Sequence, residues 1–301
     1  MLDLKVPRFK DKIVVNTKKW VQNYEGCGLG IHRLSGRDLP TYLIYAEEVY
    51  DFSERFKGAV NAGDLVLATR VSSEMCMYNS FELEGEGQYN TIPIMQVIGT
   101  FNDNKVSFSN LKLLFDKILI QKKDNIYKGF VLPESNSFVG EVVKVGTNRF
   151  DADGVSHDLR VSVGDTVLVR DNVTTEIYLD GQQFYATEEA MIVAIFHDSA
   201  YELENAEIIS DSILLQPYIP EKIFNSSLVT PNVIYEDLDV TDIYNRDLFK
   251  VVAVDKNLTK VAKNDILLID RNVTNYVYHG LDKYHIISDM NIIEAKIEGE
   301  E

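Results

Sequence analysis

The side chains able to do chemistry in this chain are few, and their spacing limits what they can do. His32, His157, His197, His279 and His285 each stand alone. None sits in a His-x-x-x-His or Cys-x-x-Cys setting, so no pair is presented on one face at the reach a metal ion needs. They read as surface and turn residues. Cys27 and Cys76 are too few for a disulfide framework and read as small core residues of a reducing compartment, a single Cys27–Cys76 bridge being the alternative. Asp151-Ala-Asp-Gly154 opens like a calcium loop but lacks the glutamate that closes one at its twelfth position. Gly26-Cys-Gly-Leu-Gly30 has neither the spacing nor the βαβ context of a phosphate-binding loop. No Gly-x-Ser-x-Gly elbow is present. Asn172-Val-Thr, Asn257-Leu-Thr and Asn272-Val-Thr are formal glycosylation sequons that read as strand ends. The expectation is a protein without catalysis, metal or cofactor, whose work is done by burying surface.

Composition narrows the partners. The chain has 301 residues, 45% of them hydrophobic, and a formal net charge of -17. The length suits two or three domains with real cores. A surface this acidic repels phosphate backbones and anionic lipid, so neither nucleic acid nor membrane is expected as a partner. No run of about 18 apolar residues exists to span a bilayer, and Met1-Leu2-Asp3-Leu4-Lys5 is not a signal-peptide core. A soluble, cytoplasmic protein is expected.

The elements that must position any binding residue repeat about every hundred residues. Asn61-Ala-Gly-Asp-Leu-Val-Leu67, Ser162-Val-Gly-Asp-Thr-Val-Leu168 and Ala262-Lys-Asn-Asp-Ile-Leu-Leu268 each place an aspartate after a small turn and before an apolar strand. Asp64, Asp165 and Asp265 lie 101 and 100 residues apart. Openings match as well: Asp11-Lys-Ile-Val-Val15, Asp116-Lys-Ile-Leu-Ile120 and Asp211-Ser-Ile-Leu-Leu215. So do the closing strands, Ile94–Ile98, Met191–Ile195 and Asn291–Ala295. A unit of this length is a domain rather than a solenoid repeat. Three domains are expected, at residues 1–103, 104–200 and 201–301, with short polar connectors holding them closely.

Within each unit, short runs of Val, Ile, Leu and Tyr are punctuated by Gly, Asn and Asp, which is a strand pattern. Asp153-Gly154 and Asp180-Gly181 are hairpin-turn pairs. Several short strands at this spacing suggest a small barrel or sandwich. One stretch competes: Tyr45, Val49, Phe52 and Phe56 fall at helical spacing, against the strand that the repeat register asks for there.

The middle unit carries a resemblance. Leu113–Ile120, Gly129-Phe-Val-Leu-Pro133, Gly140-Glu-Val-Val-Lys-Val-Gly146, Val161-Ser-Val-Gly-Asp-Thr-Val-Leu-Val169 and the closing Asp180-Gly181 with Met191–Ile195 occur in the order of a GroES-type co-chaperonin subunit. The fold class this implies is all-β, three tandem GroES-like small β-barrels, the central one clearest. The resemblance also implies a function. Gly129, Phe130, Val131, Leu132 and Pro133 would be the tip of a loop that docks in an apolar groove on a GroEL-like chaperonin ring. Leu228 and Val229, in Ser227-Leu-Val-Thr-Pro231, would be a second, degenerate tip. The residues themselves leave another reading open, in which Phe130–Leu132 is one more buried strand.

Burying three such side chains contributes about 1.5–3 kcal/mol each, while ordering a loop costs about 1 kcal/mol or more per residue. One loop therefore grips weakly, and a homo-oligomer presenting many loops grips usefully through effective concentration. Polar flanks, Lys122 to Asn125 before the tip and Glu134 to Ser137 after it, suit a segment that orders on binding. The resemblance implies a ring-forming cap that assists protein folding. The alternative is a viral structural protein, a capsid, ring or decoration component that reuses the barrel; the abundance of Asn, Ile, Tyr and Asp fits a bacteriophage source. Rings of this family hold seven domains, which three per chain cannot tile evenly.

Overall fold

Asparagine, aspartate and glycine break this chain into short β-branched and aliphatic runs, and the runs pair as antiparallel strands. The computed structural model describes residues 11–20, 41–50, 53–69, 80–83, 87–123, 126–127, 130–131, 137–151, 153–170, 174–197, 201–218, 246–270, 275–279, 282–288 and 293–297. The fold is all-β, in several antiparallel sheets. Among the described residues no helix is long and apolar enough to cross a membrane.

The first sheet contains β1 (Lys12–Trp20), β2 (Thr41–Tyr50), β3 (Leu65–Thr69), β4 (Ser80–Leu83), β5 (Gly87–Pro93), β6 (Val97–Phe101) and β7 (Leu111–Leu113). Their order is β4-β5-β1-β2-β3-β6-β7. Next along the chain come β8 (Lys117–Lys122), β9 (Ile126–Tyr127), β10 (Phe130–Val131), β11 (Phe138–Val145), β12 (Arg149–Phe150), β13 (Ser156–His157), β14 (Thr166–Val169), β15 (Thr175–Leu179), β16 (Gln182–Glu188), β17 (Ile192–Phe196) and β18 (Glu207–Ile208). Here β15-β16-β8 repeats the succession β4-β5-β1, and β14-β17-β18 repeats β3-β6-β7. The last sheet holds β19 (Ile213–Pro217), β20 (Arg246–Val254), β21 (Ile266–Asp270), β22 (Asn275–His279), β23 (Asp282–Ile287) and β24 (Ile293–Ile297), in the order β22-β23-β19-β20-β21-β24.

The stretch with helical spacing is strand, not helix. Tyr45 and Val49 lie in β2, which is paired along both sides, by β1 and by β3, and Glu54–Phe56 forms only a 3-10 turn. Tertiary pairing of the backbone outweighs a local periodicity that any amphipathic segment of this length can show by chance. Phe56 still reaches the core, edge-on to Phe115 at 5.0 Å and to Phe150 at 5.7 Å. Phe52 is outside the described residues, as are Cys27, Cys76 and His32.

The repeated aspartate turn has a common geometry. The residue before each aspartate has positive φ: Gly63 at 91°, Gly164 at 96° and Asn264 at 76°. Glycine enters that region readily, and asparagine or aspartate at some cost. Its amide then bonds back to the sheet, Gly63 N–H to Ala46 O at 2.7 Å, Gly164 N–H to Val142 O at 2.8 Å and Asn264 N–H to Val251 O at 2.9 Å. Asp64 and Asp265 close their turns by accepting backbone N–H groups three residues earlier, from Asn61 at 2.8 Å and Ala262 at 2.7 Å. Asp180-Gly181 makes its hairpin with both residues at positive φ, 52° and 76°, the combination a two-residue primed turn requires.

Packing divides the chain into two compact units. One comprises Met1–Lys122, Glu141–Gly164 and Val173–Glu189; the other Lys123–Gly140, Asp165–Asn172 and Ala190–Glu301. Each unit has an inner core under its own complete sheet, around Ile13, Val66 and Phe115 in the first and around Phe249, Val251 and Leu267 in the second. Each also has a second core that joins that sheet to strands from the middle of the chain. In the first unit Phe101, Leu113, Leu119, Ile177 and Phe184 meet. In the second the residues one repeat later, Phe196, Ile208, Leu214, Val277 and Tyr284, meet in the same way.

The segments past residues 103 and 203 do not run out as free connectors. After β6 the chain turns at Asn102–Asn104 and comes back as β7 on the outer side of β6, Gly99 opposite Leu113 and Phe101 opposite Leu111. After β17 it does the same as β18, with Ala194 opposite Ile208. β7 runs so close that a Cβ on Gly99 would lie 2.5 Å from Lys112 O.

Three outcomes follow. Gly164→Ala has open space for its methyl group but a forbidden φ, and should lower stability by about 1 kcal/mol or more in urea unfolding, while Asn264→Gly should leave it unchanged or raise it. Gly99→Ala must push β7 off backbone, and should cost about 1–3 kcal/mol by the same measurement. His285 lies against Phe249 at 4.8 Å; burial, reinforced by Lys283 and opposed by Asp247, lowers its pKa from the ordinary 6.5. The unfolded chain therefore takes up the proton first, so stability held above pH 6.5 declines as pH falls through that value. His285→Gln should reduce that acid-side decline in thermal melts compared across this range.

Candidate functional site

Among the described residues, the histidines and acidic groups that could do chemistry are each engaged locally. His157 Nε2 lies 2.9 Å from Asp151 Oδ2, and His197 Nε2 lies 3.5 Å from Glu207 Oε2. His279 stacks on Phe196 at 5.3 Å and His285 leans on Phe249. Asp151 is occupied by its own hairpin. It accepts from Val155 N–H at 2.8 Å, and the His157 hydrogen bond, with that backbone bond, holds its pKa below the usual carboxylate value. Gly154, at φ 83°, turns the chain between β12 and β13. Among the described residues, Asp116 is the carboxylate whose pKa is raised, by burial against the opposing pull of Lys117. Lys117 also meets Glu188, opposite it in the β8–β16 pair, so the group is an ion cluster within a sheet. Among the described residues, no three His, Cys, Asp or Glu side chains are grouped to hold a metal ion.

The excursion between β8 and β11 has a different construction. Its two feet are tied together by Lys123 N–H donating to Val139 O at 3.0 Å. The Lys123 ammonium donates to Thr166 Oγ1 at 2.9 Å and lies 5.6 Å above the Tyr201 ring. On the returning side Ser137 and Phe138 are buried, 1% and 4% exposed, and Ser137 Oγ accepts the Tyr278 N–H at 3.3 Å. A lysine spread over an aromatic face with its head bonded to a hydroxyl holds its stem as well as its charge.

Between these feet, among the described residues, β9 and β10 pair only with each other, Tyr127 opposite Phe130 and Ile126 opposite Val131. Phe130 and Val131 are thus in a two-stranded ladder of their own rather than in a strand of a large sheet. Gly129, Leu132 and Pro133 lie outside the described residues, as do Leu228 and Val229.

Lys123 and Ser137, which the sequence offers only as polar flanks of an apolar tip, are therefore the fixed ends of the excursion. Thr166, Tyr201 and the Tyr278 amide complete that anchorage. Nothing in the sequence marks them, because Tyr278 is 141 positions from the serine it meets.

The same segment carries the likeness to known proteins. Residues 110–196 match the family model described as Chaperonin 10 Kd subunit. The co-chaperonin GroES of Hydrogenobaculum sp. is 33% identical over 92 residues, which are 28% of this chain and 96% of that protein. That of Exiguobacterium sibiricum is 36% identical over 91 residues, 28% of this chain and 97% of that protein. That of Chlamydia caviae is 30% identical over 91 residues, covering 89% of its length. With nearly whole GroES chains accounted for in order, this chain belongs, through residues 110–196, to the GroES co-chaperonin family.

Proposed function

We infer that the chain is a co-chaperonin cap: a catalytically inert β scaffold in the cytoplasm that closes a GroEL-like chaperonin ring and assists folding inside it. The observation that carries this reading is the separate β9–β10 hairpin, standing on fixed feet in the part of the chain most like GroES. Gly129, Phe130, Val131, Leu132 and Pro133 form the docking tip. Leu228 and Val229 are its counterpart in the last third. The repeated strand succession supports a division into three GroES-like barrels, residues 1–103, 104–200 and 201–301, and the chain acts as a homo-oligomer.

The energetics favour this division of labour. Fixed feet reduce the number of residues that must be ordered on docking, leaving mainly the tip to lose its freedom. Burial of Phe130, Val131 and Leu132 contributes about 1.5–3 kcal/mol each before that loss. A single tip is then weak enough to release when the partner changes shape, and several tips on one assembly hold firmly together.

Capture on an immobilised chaperonin ring with nucleotide present tests the reading. The intact protein should be retained, and Phe130→Asp or Leu132→Asp should reduce retention about tenfold or more with circular dichroism unchanged. Equal retention of intact protein and both variants would remove the tip from the function, and no retention of any of them would remove the cap.

A further inference from the structure

Just after β14 stands a partly buried cation, Arg170. Its backbone is fixed by an N–H donated to Met191 O at 3.0 Å. Its side chain reaches the start of β19, where Nη2 donates to Ser212 Oγ at 3.0 Å. Ser212 is fully buried. Two successive left-handed residues, Ser210 at φ 60° and Asp211 at φ 51°, lead the chain into it, and its hydroxyl donates to Ser210 O at 3.4 Å. Arg170 Nε is buried and, among the described residues, has no hydrogen-bond acceptor. Burial lowers the guanidinium pKa, and among the described residues no carboxylate stands close enough to oppose that shift. A guanidinium withdrawn from water without an acceptor for its buried N–H loses hydration that nothing replaces.

The middle sheet shows a neutralised form of the same position. Its opening Asp116-Lys117-Ile118 becomes Asp211-Ser212-Ile213 one repeat later. Lys117 lies opposite Glu188 and pairs with it. In the last sheet Ile213 lies opposite Ile287, which sets Ser212 beside Ser288, so both charges of that pair are replaced by serines. Arg170 returns a cation to this position from β14. The matching residue of the first sheet is the neutral Thr69, whose hydroxyl donates to Gln96 O at 3.3 Å. Among the described residues none returns the carboxylate.

We propose that Arg170 is a binding site for the carboxylate of a small acid, with Ser212 holding the guanidinium in place. The ligand takes the role that Glu188 plays for Lys117. One of its oxygens accepts the Nε–H and the other accepts from the guanidinium edge beside it, a geometry that two carboxylate oxygens match and an ammonium would not select. The site offers one cation on a chain of formal net charge -17, which favours a single negative charge over a doubly charged phosphate. A free acid and an acidic side chain of a bound polypeptide both carry this group. The inference rests on Arg170 and its surroundings, not on the docking hairpin, and holds whether or not the chain caps a chaperonin.

Acetate added to the full-length protein at constant ionic strength, with chloride as the balancing anion, tests it. The readouts are thermal unfolding and the Nε–H resonances of protein carrying isotope-labelled arginine. Acetate should raise the melting temperature and shift one Nε–H resonance, the one that is absent from Arg170→Lys. Arg170→Lys keeps the charge without the fork and should need about tenfold or more acetate for the same stabilisation. Arg170→Met should abolish the response, and in chloride alone should be at least as stable as the unaltered protein, because it removes an unmatched buried charge. A blocked glutamate tripeptide run in parallel identifies the source: a response to acetate alone assigns a free acid, and a stronger response to the peptide assigns an acidic side chain. Equal effects of acetate and chloride, or an acetate response that persists in Arg170→Met, would overturn the proposal. So would stronger binding of inorganic phosphate than of acetate. Arg170→Met less stable in chloride, with acetate inert on both proteins, would make Arg170 only a strut for Ser212.

Discussion

One contact is made twice in this molecule: the last strands of one sheet pack against the hairpin and first strand of the next. Phe101, Leu113, Leu119 and Phe184 make it in the first unit. Phe196, Ile208, Leu214 and Tyr284 make it in the second. Each buried side chain contributes about 1.5–3 kcal/mol, and the edge strand adds backbone hydrogen bonds that would otherwise face water. This explains why the compact units do not coincide with the sequence repeats. The strands of the middle repeat are shared between two strong junctions, so packing groups β15-β16-β8 with the first sheet and β14-β17-β18 with the last.

That arrangement also sets the conditions for the candidate site. The feet of the β9–β10 hairpin are bonded to each other, Lys123 to Val139, and to two other segments, Lys123 to Thr166 and Ser137 to the Tyr278 amide. A hairpin on such a base can present an apolar tip without its own hydrophobic core, because its ends are already ordered by the surrounding sheet strands. Elsewhere, Asp151 and His157 meet within one turn, and His279 and His285 make ring contacts.

Membership of the GroES family rests on residues 110–196, and a turn of that segment recurs before and after it in the chain. The likeness is physical as well as sequential. A left-handed residue ahead of an aspartate recurs at Gly63, Gly164 and Asn264, and each amide bonds back to its sheet. Where the middle sheet uses glycine, the last uses asparagine, the other residue that tolerates the conformation.

What the sequence by itself determined is what local chemistry encodes: the all-β character, the aspartate turns, the Asp180-Gly181 and Asp153-Gly154 hairpins, and the segment that resembles GroES. Turn residues and strand alternation act over a few positions, so they are legible in one dimension. The tertiary structure decided what depends on distant partners. It made a strand of the stretch from Tyr45, because β1 and β3 flank β2. It turned Leu111–Leu113 back onto β6. It converted Lys123 and Ser137 from polar flanks into anchors. Each of these outcomes is set by which backbone and side-chain groups must be satisfied together on burial, and those groups lie tens to more than a hundred residues apart.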